Sequence, residues 1–259
     1  MQSRQNDQSC DVRVCPCDHQ GEAKALGRAA AAGRCLFACF LLLLSGTNGV
    51  SAREASAAPE ISLTAVLGEP PAPHSPQDEA DRAAVIAAVA SRSPERQQQA
   101  VLDAEATIAR FLEGMDVHLP KKSAHYARKF FARTQDQLEE GLKPAKDMFH
   151  RPRPFVDNPG LQPCEPEPRS KGSFPSSHAG TGTLFALLLE EEFPKLKDTL
   201  ERRGEDFGYS RVVCGFHYPS DVEAGRKAGK ALADALLADP KFRRHLDRAT
   251  SEIRDVIGQ

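Results

Sequence analysis

Three short clusters in this chain place cationic side chains or histidine next to residues that start or stop helices. The first is Lys146-Asp147-Met148-Phe149-His150-Arg151-Pro152-Arg153-Pro154. The second is Pro175-Ser176-Ser177-His178, and the third is Ser210-Arg211 followed by His217 and Asp221. Lysine offers a point charge and arginine a planar fork of donors, so Lys146, Arg153 and Arg211 suit the oxygens of an anion. A helix opening near Ser176 adds a hydroxyl, free N–H groups and the positive end of its dipole. His217 and Asp221 suit an imidazole whose tautomer is held by a carboxylate, which leaves the other ring nitrogen free to attack. His178 is then available to carry a proton. Singly, each cluster has an ordinary reading, because cations near helix ends commonly complement the helix dipole. The order and spacing of all three carry the functional reading.

The elements that must hold these clusters read as helices. The chain has 259 residues, 40% of them apolar, with an alanine-rich bias and no Trp; alanine favours helix over strand. Helical patterning starts near Glu79, where Val85, Ile86 and Val89 share a face, and Val101, Ile108, Phe111 and Leu112 share another. Ser93-Pro94 separates two helices. A further helix is expected from about Ser123 to Leu142, with Met148 and Phe149 continuing its apolar pattern. Residues 151–175 are crowded with proline and read as an ordered loop. Helices are then expected from about Ser176, burying Leu184, Phe185, Leu187 and Leu188, from about Pro194 to Cys214, and from about Pro240 to Ile257. Ser220-Asp221-Val222-Glu223 has the form of a capping box and is expected to open a helix through Leu237. No alternating strand pattern and no internal repeat competes.

The first 52 residues differ from the rest. Arg28 and Arg34 precede an apolar run from Cys35 to Leu44, and Val50-Ser51-Ala52 offers a small-x-small cleavage site. This is the layout of a secretory signal with a long leader. The run is short of the roughly 20 residues that span a bilayer. Residues 53–77 are rich in Ala, Pro and Ser and read as a flexible linker, leaving 78–259 as the folded domain. Five cysteines precede the expected cut, and Cys164 and Cys214 follow it; in an oxidising compartment they form one disulfide or stay as two buried thiols. The net charge of −2 does not point to nucleic acid. After residue 52 there is no apolar run long enough for a stable membrane span. No cluster has zinc-ligand spacing, so no metal and no cofactor is expected. Homo-oligomerisation is left open.

Lys, six residues, Arg-Pro; then Pro-Ser-Ser-His; then Ser-Arg, five residues, His, three residues, Asp: this resembles the three-part signature of the type-2 phosphatidic acid phosphatase and vanadium haloperoxidase superfamily. With its size and leader, the chain is similar in particular to the bacterial class A non-specific acid phosphatases. One position departs, since Ser177 stands where that family has Gly. The resemblance implies an all-α, single-domain helical bundle of the superfamily's type. It implies a periplasmic or secreted acid phosphatase that hydrolyses small phosphorylated substrates through a phosphohistidine, without metal and with phosphotransfer as a side activity. Carried onto this chain, His217 is the nucleophile, His178 the acid and base, and Asp221 the partner that orients His217. Lys146, Arg153, Ser176, Ser177 and Arg211 bind the phosphate. Ser177 costs little if its backbone is helical and weakens binding if a left-handed conformation is required. The alternatives are a lipid phosphate or pyrophosphate phosphatase, a vanadium-dependent haloperoxidase, and a phosphate-binding protein without catalysis.

Overall fold

A helix with almost no polar face must be covered on every side. Ser177–Glu192 is such a helix, and helices on both sides of it in the chain pack against it. The computed structural model describes residues 62–168 and 172–257. In chain order its helices are α1 (Leu63–Leu67), α2 (Pro76–Ser91), α3 (Pro94–Leu102), α4 (Ile108–Glu113), α5 (His125–Phe149), α6 (Pro154–Asp157), α7 (Ser177–Glu192), α8 (Lys197–Val213), α9 (Pro219–Ala238) and α10 (Pro240–Ile257). A 3-10 turn, Pro194–Leu196, leads into α8. The all-α architecture agrees with the sequence reading. The expected leader and its cleavage site lie outside the described residues.

The central packing is unusually close because glycines face each other. A Cβ on Gly229 would lie 2.3 Å from the Gly180 carbonyl oxygen, and one on Gly225 would lie 2.1 Å from the Ser176 carbonyl oxygen. Gly182 and Gly204 meet in the same way between α7 and α8. Away from these contacts, Phe111, Phe131, Phe185 and Phe207 fill the core with edge-to-face ring pairs 5.2–5.9 Å apart. The amphipathic α10 buries Leu246, Ala249 and Ile253 and packs on α5.

Local capping explains most boundaries. Ser75, Ser93, Thr107 and Ser176 each accept an N–H from the first turn of the helix they precede. Two starts differ from the sequence expectation. The cap of α9 is Tyr218 rather than Ser220, because Pro219 takes the first helical position, where its fixed φ fits. Asp221 Oδ2 accepts the Tyr218 N–H at 2.8 Å, so the acidic residue of that turn is Asp221 and not Glu223. Helix α5 begins after Ala124, which is left-handed and has no capping side chain. Glu252 of α10 instead accepts the N–H groups of Tyr126 and Ala127 at 2.9 and 3.1 Å.

Part of the segment expected to be a flexible linker is also ordered. Leu63 and Leu67, four apart on α1, are both buried, and α1 packs on α9 and α5. Leu63 covers Gly141, where a Cβ would come within 2.7 Å of it. One helical turn with two leucines is too short a pattern to stand out among prolines, and burial against α5 and α9 holds it in place. Cys164 and Cys214 form a disulfide that ties the proline-rich loop to the end of α8.

Replacing Gly225 with Ala is expected to push α9 away from the first turn of α7. Overpacking of this kind costs about 1–3 kcal/mol, readable by urea unfolding. Activity is expected to fall further than stability, because the displaced atom belongs to the residue that caps α7. Parent-like stability and turnover would show that the close approach is not required.

Candidate active site

The three clusters meet at one place in the fold. Lys146 lies in the last turn of α5, Arg153 is the cap of α6, and Ser176 is the cap of α7. Ser177 and His178 form the first turn of α7, and Arg211 lies in the last turn of α8. His217 lies just before α9, and Asp221 is in the first turn of α9. Direct contacts join them. Arg153 Nη1 donates to the Phe216 carbonyl at 2.8 Å and is 2.9 Å from His217 Nε2. Lys146 Nζ donates to the Pro175 carbonyl at 2.7 Å, and the Ser176 N–H donates to the Asp221 carbonyl at 2.9 Å.

The site concentrates positive charge out of water. Arg211 is 4% exposed, and its Nε and Nη1 have no hydrogen-bond partner among the described residues. Its guanidinium lies over the Phe216 ring, 4.7 Å from the centroid. Burial, then repulsion from Arg153, pulls Arg211 down to about 9. Burial and the same Arg153 charge bring Lys146 down to about 8, and burial brings Arg153 down to about 10 against the opposing pull of Asp221. Buried donors without acceptors are costly, so they mark a place built for an anion. The N–H groups of the first turn of α7 add to it. Ser177 begins that turn and is not among the residues with positive φ, so its Cβ causes no backbone strain.

Each histidine is held differently. His217 is 3% exposed, and burial, followed by the charges of Arg153, Lys146 and Arg211, holds it well below the usual imidazole range. With Arg153 donating to Nε2, the neutral ring carries its proton on Nδ1. Nδ1 is 3.5 Å from Asp221 Oδ2, beyond hydrogen-bond length, and has no hydrogen-bond partner among the described residues. The bond expected from the sequence is therefore a facing pair at ion-pair distance. His178 is half-buried and stacks on Phe207, with Nε2 3.0 Å from the Ala104 carbonyl. That contact leaves Nδ1 as its free nitrogen. Burial, then the Arg211 charge, lowers His178 to about 3.

Sequence reasoning missed the buried ions behind these residues. Arg151 donates to Asp221, Ser220, Asp78 and Asp81. Asp103 accepts from Arg110, Arg203 and Ser210, fixing the turn that carries the Ala104 carbonyl. The sequence signals for the first of these networks were the first arginine of Arg151-Pro152-Arg153 and the spacing of Asp78 and Asp81 on one face of α2.

The helical bundle thus gathers Lys146, Arg153, Arg211, His178, His217 and Asp221 around the N-terminus of α7. Residues 138–244 match the PAP2 superfamily, a span that contains all three clusters. A non-specific acid phosphatase of Salmonella typhimurium is 33% identical over 211 residues, covering 76% of this chain and 83% of that protein. The non-specific acid phosphatase of Providencia stuartii is 32% identical, covering 62% of this chain and 68% of that protein. An acid phosphatase of Zymomonas mobilis is 40% identical over 114 residues, 42% of each chain. The chain belongs to the PAP2 superfamily and, within it, to the non-specific acid phosphatases.

Adding inorganic phosphate is expected to raise the proton affinity of His178, because a bound anion offsets the charge of Arg211. An NMR pH titration of the histidine ring signals would read this. His178 is expected to stay neutral through pH 5 without phosphate and to take up its proton at higher pH with it. An unchanged titration would place His178 away from the bound anion.

Proposed function

We propose that this protein hydrolyses phosphate monoesters by transferring the phosphoryl group to His217 and then to water. The observation that carries this reading is the buried, partnerless pair of Arg211 nitrogens beside a histidine held neutral by its surroundings. A phosphoryl group spreads negative charge over its equatorial oxygens during transfer. Lys146, Arg153, Arg211, the Ser176 hydroxyl and the N–H groups at Ser177 and His178 are the donors assigned to them. Donors already in place stabilise that charge without reorganising.

In the first step, His217 Nε2 attacks phosphorus and the bond from phosphorus to the ester oxygen breaks. A phosphate oxygen competes for the Arg153 donor on Nε2 and frees the lone pair. The departing alkoxide takes a proton from His178 Nδ1. Positive charge developing on the His217 ring is met by Asp221 through Nδ1–H. In the second step, His178 accepts a proton from water, the water oxygen attacks phosphorus, and the nitrogen–phosphorus bond breaks to release phosphate. An alcohol in place of water gives phosphotransfer. A nucleophile with so low a proton affinity stays neutral in acid, which supports activity below pH 7.

The route uses the chain's own imidazole as nucleophile and assigns no step to a metal. Export to the periplasm or beyond is part of the same reading. It rests on the secretory layout of the first 52 residues and on the Cys164–Cys214 disulfide, a bond that persists in oxidising compartments.

Rapid quenching with a labelled aryl phosphate is expected to trap an acid-labile phosphohistidine in the parent, with EDTA present. His217→Ala is expected to lose the label and at least about 10⁴-fold in kcat. Normal turnover in that variant would reject the nucleophile, and loss of parent activity in EDTA would reject a route without metal.

A further inference from the structure

Arg151 is buried with all of its terminal donors committed. Nη1 donates to Ser220 Oγ at 2.7 Å and to Asp221 Oδ1 at 2.8 Å. Nη2 donates to Asp78 Oδ1 at 3.0 Å and Asp81 Oδ2 at 2.9 Å. The Tyr218 ring covers the guanidinium, with its centroid 4.1 Å away. A structural clamp between α2 and the loop after α5 would need only Asp78 and Asp81. The third carboxylate, Asp221, is the one that faces His217, and its other oxygen is held by the Tyr218 N–H. Both oxygens of Asp221 are therefore fixed, and the carboxylate cannot turn away from the imidazole.

We propose that Arg151 is a positioning residue for catalysis, holding Asp221 charged and aimed at His217, and that Asp78 and Asp81 of α2 tune how strongly it does so. This rests on the reading of His217 as nucleophile. Asp221 is completely buried, and one guanidinium shared among three carboxylates leaves a cluster with excess negative charge. Desolvation pushes Asp221 up to about 6, and the Arg151 charge is the largest influence opposing it. The remaining charged or titratable groups facing Asp221 are Lys146 of α5, Arg153 at the start of α6, and His217 and Tyr218 before α9. Arg82 of α2 pairs with Asp78 from the far side. Arg151 bonds the Asp221 carboxylate directly. Removing its charge favours protonated Asp221, which no longer supports the His217 ring. Removing the charge of Asp81 does the opposite, because a competing anion is lost.

The opposite signs separate this role from a structural one. The test is kcat/KM for an aryl phosphate across pH, in the parent, Arg151→Gln, Arg151→Lys and Asp81→Asn, with thermal unfolding of each. The substrate's own ionisation is common to all four and cancels in the comparison. Arg151→Gln is expected to move the acid limb up by about one pH unit or more, since an opposite charge at this distance shifts a carboxyl by roughly 1–3 units. Arg151→Lys is expected to recover part of the shift, and Asp81→Asn to move the limb down. All three substitutions lower the melting temperature if the clamp alone matters, with equal losses at every pH and coincident limbs; that result overturns the proposal. If Arg151→Gln does not fold, Asp81→Asn decides, and an acid limb that stays or rises overturns it. Trapping phosphate on the parent's His217 separates the two levels. A label at His217 with unmoved limbs rejects only the role of Arg151, whereas no label rejects the nucleophile itself.

Discussion

Buried positive charge is the constraint around which this protein is organised. Burial lowers the proton affinity of Lys146, Arg153 and Arg211, the Arg153 charge adds to this at Lys146 and Arg211, and the leading opposing carboxylates are Asp221 for Lys146 and Arg153 and Asp103 for Arg211. Taking such groups out of water costs several kcal/mol per ion before relaxation and pairing are counted. An isolated segment does not hold that arrangement, so each cation is fixed at a helix end set by tertiary packing. In the proposed function the cost is offset when a phosphate enters, because the anion supplies acceptors for the two Arg211 nitrogens that have none among the described residues. Affinity for the transferring phosphoryl group would then come from charge already desolvated and oriented.

The packing of α7 makes the arrangement possible. Glycine against glycine lets α9 pass within touching distance of the Ser176 carbonyl, which brings Asp221 and His217 to the N-terminus of α7. Gly182 and Gly204 do the same for α8 and bring Arg211 to that end. The disulfide and Leu161 hold the proline-rich loop against the end of α8, close to the turn before His217. Rigidity here matters chemically, since donors a fraction of an ångström out of place lose much of their effect on a transition state.

Two layers of buried ions stand behind the reacting groups. One, centred on Arg151, backs Asp221 and so reaches His217. The other, centred on Asp103, joins Arg203, Arg110 and Ser210 and fixes the turn whose carbonyl meets His178. Each histidine is thus oriented by a network anchored on a different part of the chain, which suits the separate tasks assigned to them. In the proposed reaction, keeping both imidazoles neutral in a field of cations favours attack by His217, and lets His178 gain its proton when the anion arrives.

The sequence by itself determined the helical class, most helix boundaries and the set of residues that the fold gathers at the N-terminus of α7. Serine caps, prolines and apolar spacing act locally, and the order of Lys146, Arg153, Ser176, His178, Arg211, His217 and Asp221 is readable without any contact map. It left open whether Ser177 strained the backbone and whether Cys164 met Cys214, because both depend on backbone direction. It missed α1, the capping of α5 by Glu252, the start of α9 at Tyr218 and the Arg151 and Asp103 networks. Only the tertiary structure decided these. A buried ion pair or a cap supplied from 100 or more residues away leaves no periodicity in the sequence, and its partners become neighbours only once the helices pack.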